Sequence, residues 1–210
     1  MSEPLISRGF RGRRRPDDPG APPANRVPPG QHVVSDFPVL SAGPTPRPNL
    51  DAWRFSLQHH GSLLGQWTWA EFNALTQTRV VVDIHCVTTW SKLDTTWQGV
   101  TIDTLLAAAG LSAAPGPFVM VHCDGGYTTN VPVADLVNGK AMVATRFADA
   151  PLVAEHGGPA RLLVPHLYFW KSAKWVRRLQ FLEHDEPGFW EENGYHMYGD
   201  PWREQRYAGD

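Results

Sequence analysis

One thiol stands at the end of a β-branched run, Val80-Val81-Val82-Asp83-Ile84-His85-Cys86, ahead of Val87-Thr88-Thr89-Trp90-Ser91. The Val/Ile run predicts a buried strand. The polar segment after it, Thr88 to Lys92, predicts the kind of loop on which binding and catalytic groups are carried. Cys86 is thereby placed where a reactive or metal-ligating thiolate could act, and its alternative is a small buried hydrophobe. A second cluster begins at His156-Gly157-Gly158-Pro159-Ala160-Arg161 and ends at Lys171-Ser172-Ala173-Lys174-Trp175. Gly-Gly-Pro predicts a tight turn with exposed amides, and Arg161, Lys171, Ser172 and Lys174 are the donors that a phosphate or another oxyanion needs. Its alternative is a solvated strand with alternating lysines.

The elements that must position these groups are short and mixed. Thr68-Trp69-Ala70-Glu71 has the form of a capping box and predicts a helix of about two turns. Thr101 to Ala109, ended by Gly110, predicts a second. Strands are expected over Val80–His85, Phe118–Cys123, Tyr127–Val133, Ala141–Thr145, Arg161–Val164 and Lys174–Glu183. Such helices cannot cover both faces of a doubly wound sheet, so the expected class is α+β with mixed β-sheets and short helices. The segment from Pro187 to Tyr198 holds Phe189, Trp190, Tyr195 and Tyr198, and is expected to pack and to line a half-wet cleft. His59 and His60 read as surface histidines before a turn.

Composition bounds the rest. With 210 residues, 42% hydrophobic content and nine Trp, the chain can build a large core. A net charge of −2 argues against a nucleic-acid footprint or a polybasic membrane patch, so recognition is expected in a pocket. The two cysteines, Cys86 and Cys123, form neither a disulfide framework nor a C-x-x-C zinc pair, which suits a reducing compartment; Cys123 reads as a core thiol. Residues 1–30 are rich in Arg, Pro and Gly and read as a disordered basic tail, leaving residues 31–210 as a single domain. The arginines invite an export reading, but Pro16-Asp17-Asp18-Pro19-Gly20 stands where an apolar region should follow, and a cytoplasmic protein is expected.

The thiol after a strand, Asp124-Gly125-Gly126-Tyr127 after another, the His-Gly-Gly-Pro-Ala-Arg turn and the Lys-Ser-Ala-Lys-Trp segment, in this order, resemble the sulfite oxidase family of molybdopterin-dependent oxidoreductases. They are most similar to its short bacterial branch, which includes the catalytic subunit of the periplasmic methionine-sulfoxide reductase. The resemblance spans roughly residues 33 to 205. It implies the sulfite oxidase-type fold and one molybdenum–molybdopterin cofactor per chain. Cys86 would be the metal's thiolate ligand, a soft donor suited to it. Asp124, His156, Arg161, Ser172, Ala173 and Lys174 would hold the pterin and its phosphate, with Asp36 and Phe37 reaching it from the amino-terminal segment. Tyr195, 21 residues after Lys174, would aim its phenol at the substrate. The implied reaction is a two-electron oxygen-atom transfer on a small sulfur- or nitrogen-containing substrate.

Where sulfite oxidases carry a sulfite-binding arginine, Val34 stands ahead of Asp36-Phe37-Pro38-Val39. An anion would lose a contact worth about 1.5 to 3 kcal/mol, so sulfite is not the expected substrate. Neither a haem nor a dimerisation domain is expected after Tyr195, so electrons are expected to pass through a separate partner. Two other readings are a zinc or other simple-metal site built from His85/Cys86 and His122/Cys123, and a non-catalytic binding member of the fold. Adjacent strand residues face opposite sides, so each His-Cys pair could supply one inward ligand.

Overall fold

The computed structural model of the chain describes residues 24–210. In chain order the strands are β1 (His32–Val33), β2 (Arg54–His59), β3 (Ser62–Thr68), β4 (Thr78–His85), β5 (Trp90–Thr101), β6 (Phe118–Cys123), β7 (Thr128–Pro132), β8 (Met142–Phe147), β9 (Ala150–Pro151), β10 (Arg161–Leu163) and β11 (Val176–Leu182). The helices are α1 (Trp69–Ala74), α2 (Ile102–Ala108) and α3 (Phe189–Glu192). One sheet has the order β1-β5-β8-β10, with β4 also on β5 and β9 on β8; the other runs β3-β2-β11-β6-β7. Both are mixed: β1 lies parallel to β5, and β11 lies parallel to β2 but antiparallel to β6.

Period-2 alternation divides the first sheet between two cores. Val143 of β8 and Leu162 of β10 join Phe55, Val119, Val121, Leu179 and Phe181 of the second sheet in one apolar cluster. Their neighbours Met142, Ala144 and Leu163 enter another cluster with Ile84, Cys86, Trp90, Trp97 and Trp170. Arg161, two residues before Leu163, therefore faces the second cluster, where its guanidinium lies 4.1 Å from the Phe169 ring centroid and 5.6 Å from that of Trp97. Gly99 lets β5 and β8 approach closely: a Cβ there would lie 2.2 Å from Val143 O.

The capping box is formed, with Thr68 Oγ1 accepting from Glu71 N–H and Glu71 Oε2 accepting from Thr68 N–H, though α1 is six residues long. Four expectations are corrected. The segment after Cys86 is a loop only at Val87–Thr89; from Trp90 it is β5, whose buried polar residues Ser91 and Thr95 are paired with β4, Ser91 bonding the His85 ring and Thr95 donating to Val82 O. The Val80–Val82 run is not buried throughout. Strand β4 pairs with β5 alone, which leaves Val81 55% exposed, and burial begins at Ile84. Strands β2 and β3, whose patterns are mixed, escaped the sequence. Finally, residues 24–30 are held rather than tail-like: Arg26 donates to both Asp83 oxygens, at 2.8 and 2.6 Å, and to Asp94 at 2.6 Å. The remainder of the expected tail lies outside the described residues.

Candidate active site

The turn between β4 and β5 presents the thiol. Cys86 N–H donates to Trp90 O at 2.8 Å, Thr89 N–H returns to Cys86 O at 3.0 Å, and Thr89 takes a left-handed φ of 74° to close the turn. The sulfur is buried and accepts from Thr88 Oγ1 at 3.2 Å. Burial pushes the thiol's pKa up, while the Thr88 hydroxyl, nearby amides and Arg206 pull it back toward the thiolate.

Cys86 opens into a cleft of about 470 Å³. The turn from Val153 to Pro159 brings His156 to the cleft as part of a second wall. Gly157 has φ 104°, and a Cβ there would come within 3.1 Å of both Lys174 and Arg161, so glycine lets the two cationic segments converge. His156 stacks on Phe37 with ring centroids 3.9 Å apart and planes 7° apart, which pins the amino-terminal segment to the cleft. Burial, Arg161 and Lys174 all lower the His156 pKa.

Arg161 is 2% exposed. It donates to His156 O at 2.8 Å and Ser172 O at 2.6 Å, but its Nε has no partner among the described residues. Burial brings it down to about 9. Lys174 donates to Glu155 O at 2.6 Å, and burial together with Arg161 brings it down to about 8. Neither cation forms a salt bridge among the described residues. Two desolvated cations facing one cleft with an orphaned donor call for an anionic ligand. Ser172 Oγ accepts from Val164 N–H at 2.9 Å, which leaves its own hydrogen free to donate, and Ala173 packs beside it.

The third wall is aromatic. Tyr195 stacks on Trp190 at 4.8 Å and meets Trp170 edge-on at 5.1 Å. Burial raises its pKa first, with Tyr207 and then Cys86 adding to the rise, so the phenol stays protonated beside the thiol. The carboxyl-terminal segment thus lines the cleft through Phe189, Trp190 and Tyr195.

The structure gathers Phe37, Cys86, Asp124, His156, Arg161, Ser172, Ala173, Lys174 and Tyr195 around one cavity. Asp36 is not among them: it sits in the bend at Ser35–Asp36 and is exposed, while its neighbour Phe37 turns into the cleft. Asp124 lines the cleft but is held by Arg177 at 2.8 Å. Lys171 leaves the oxyanion set, since its ammonium is wholly buried against Glu191 and does not line the cleft. Trp170 and Trp190 were not singled out as site residues; the aromatic density of 187–198 was the signal for Trp190, and Trp170 had none beyond its place next to the Lys-Ser-Ala-Lys segment. The simple-metal reading fails: Cys86 and Cys123 lie in separate cores, and His122 pairs with Gln180 on the face opposite Cys123. Among the described residues those four side chains form no ligand cluster.

A buried thiol, two desolvated cations and a phenol around one cleft suit the binding of an anionic ligand beside the thiol. The chain belongs to the family described as oxidoreductase molybdopterin binding domain, matched over residues 42–190. It is 43% identical over 191 residues to the uncharacterized oxidoreductase YuiH of Bacillus subtilis, covering 89% of this chain and 94% of that one. It is 29% identical over 153 residues to a putative protein-methionine-sulfoxide reductase subunit, YedZ1, of Azospira oryzae, covering 71% of this chain and 57% of that one. A stretch of 71 residues is 28% identical to mitochondrial sulfite oxidase of Drosophila melanogaster, and spans 12% of that protein. The sulfane dehydrogenase SoxCD from Paracoccus pantotrophus superposes with a TM-score of 0.57 at 20% identity, over 67% of this chain and 40% of that one, which establishes a shared fold. The protein is a molybdopterin-dependent oxidoreductase of sulfite oxidase-like α+β fold, and its cofactor is a molybdenum–molybdopterin group.

Proposed function

We propose that the protein transfers an oxygen atom to or from a small, neutral sulfur- or nitrogen-containing compound, and that sulfite is a poor substrate. The observation that carries this reading is Arg161, a buried cation whose Nε is free and which meets no carboxylate among the described residues, in the same cleft as Cys86 and Tyr195. The bound molybdenum–molybdopterin group supplies the two-electron oxygen-atom chemistry. Arg161 and Lys174 would neutralise its phosphate, Ser172 would donate to it, and His156 would pack along the pterin from its stack on Phe37. Cys86 would be the protein's ligand to the metal, with Thr88 donating to the sulfur and moderating its basicity. Tyr195, kept protonated, would donate a hydrogen bond where negative charge develops on the transferred oxygen.

The substrate class follows from charge. Among the described residues Arg161 and Lys174 are the only Lys or Arg side chains lining the cleft, and this reading commits both to the phosphate. The segment from Phe37 to Pro44 contributes neutral side chains only, and Val34 does not line the cleft. The remaining surface beside Cys86 is Trp90, Trp170, Trp190 and Tyr195, which favours an uncharged S-oxide or N-oxide, or its reduced partner, over an anion. The name of the Azospira relative, a putative protein-methionine-sulfoxide reductase subunit, supports an S-oxide. The proposal includes a separate redox partner, in keeping with that relative's being a subunit, and a reducing cytoplasmic setting, in keeping with two unpaired cysteines.

A screen of S-oxides, N-oxides and sulfite with artificial electron carriers tests the reading. Turnover of a neutral oxide with little or none of sulfite is expected. Sulfite as the best substrate would overturn it.

A further inference from the structure

The second sheet carries a constellation unconnected with the Cys86 cleft. In the parallel ladder of β2 and β11, Phe181 lies beside His59, so the end of β2 meets the residue that follows β11, Glu183. Successive strand residues would face opposite sides, but His60 takes a left-handed φ of 46°, which swings its ring beside that of His59 with centroids 3.9 Å apart. His59 Nε2 is 3.5 Å, and His60 Nε2 3.3 Å, from the same oxygen, Glu183 Oε1.

His59 Nδ1 lies 3.3 Å from Phe181 O. A carbonyl oxygen can only accept, so Nδ1 carries the hydrogen, and in the neutral ring Nε2 presents a lone pair to the carboxylate. Two lone-pair atoms facing each other at this distance leave room for a metal ion to bridge them. Metal–nitrogen and metal–oxygen bonds of about 2.0 to 2.1 Å at a tetrahedral angle separate ligand atoms by roughly 3.3 to 3.4 Å. The His60 separation of 3.3 Å falls on that edge, and the His59 separation of 3.5 Å exceeds it by about 0.1 Å. The three ligand atoms lie within 4.8 Å of one another, the only such group of His, Cys, Asp and Glu among the described residues.

We propose that His59, His60 and Glu183 form a surface site for a borderline divalent transition ion, zinc being the type case. Two imidazoles and one carboxylate select such an ion over magnesium or calcium, which prefer all-oxygen shells. The Phe181 carbonyl behind His59 is the outer hydrogen bond that fixes a ligand imidazole's orientation. With His60 and Glu183 exposed, the remaining positions stay open to water or an exchangeable ligand. Binding would staple the β2–β3 hairpin to the end of β11. None of the three residues lines the Cys86 cleft.

The test is calorimetric titration of the tag-free, molybdenum-loaded protein with zinc chloride at pH 7.5, repeated with magnesium chloride. Wild-type protein is expected to bind one zinc per chain and no magnesium. His60→Asn and Glu183→Gln should each weaken zinc binding tenfold or more with molybdenum content unchanged, which certifies that the variants are folded. Absence of zinc binding up to millimolar concentration would overturn the proposal and leave a proton between His59 and Glu183. Equal binding by wild type and the double variant would overturn it as well, by placing the ion on other histidines.

Discussion

Lys171 Nζ lies 2.6 Å from Glu191 Oε1, and both side chains have no solvent exposure. The ammonium also donates to Asn130 Oδ1 and to the carbonyls of Asn130 and Met197, while the same carboxylate oxygen accepts from Thr129 and from the Trp170 indole. This network ties α3, and with it Trp190 and Tyr195, to β7 and to the Lys-Ser-Ala-Lys segment. Removing one partner strands the other's charge in a dry site. Glu191→Ala or Lys171→Met should therefore cost roughly 3 to 5 kcal/mol, and the double variant Lys171→Met/Glu191→Leu should cost less than either. Denaturant unfolding of the three variants gives the answer, and additive losses would show that the pair is uncoupled.

Arg161 makes the cradle anionophilic, so its loss should appear in cofactor content before activity per bound cofactor. A charge-assisted contact is worth about 1.5 to 3 kcal/mol, which converts to roughly 10- to 100-fold weaker retention in Arg161→Met. Joint replacement of Arg161 and Lys174 should lower it further. Molybdenum and released pterin per chain are the measurements; full retention in the double variant would remove both residues from the cradle.

The depressed pKa of Lys174 gives a pH signature. Burial and Arg161 hold it at about 8 in the cofactor-free protein, below the usual lysine range. A bound anion favours the charged form and raises that pKa, so binding takes up a proton once the free lysine has deprotonated. Affinity for inorganic phosphate, already a dianion at pH 8, should then fall as pH rises through 8, by up to about tenfold per unit. Lys174→Met should bind more weakly at pH 7.5 and lack the fall through pH 8, because the remaining Arg161 guanidinium keeps its charge. Phosphate titrations of cofactor-free protein between pH 7.5 and 9.5 decide this, and affinity that rises with pH would refute the assignment.

Tyr195 stands against Trp190 and Trp170 by its ring alone, so Tyr195→Phe preserves the packing and removes only the donor. Turnover is expected to fall roughly 100-fold with molybdenum content and KM little changed. A variant with wild-type turnover would show that the phenol is a wall rather than a donor.

Much of this site was legible because its chemistry is carried by contiguous segments. His156 to Arg161 and Ser172 to Lys174 hold their spacing in any fold that keeps the turn, and the alternation of Arg161 with Leu163 in β10 sets which core they face. What escaped depends on distant partners. Lys171 looked like its neighbours until Glu191 came beside it, 20 residues on. Asp36 looked equivalent to Phe37, yet the Phe37–His156 stack admits only one of them. The polar residues of β5 read as loop because their partners lie on β4, not in their own hydropathy.

The central claim is that Cys86 ligates the metal, and X-ray absorption at the molybdenum edge tests it most directly. Cys86→Ser should fold and retain most of its pterin while turnover is abolished. The account predicts that the loaded variant's molybdenum loses one sulfur neighbour relative to wild type. An unchanged sulfur count, or retained turnover in that variant, would contradict it.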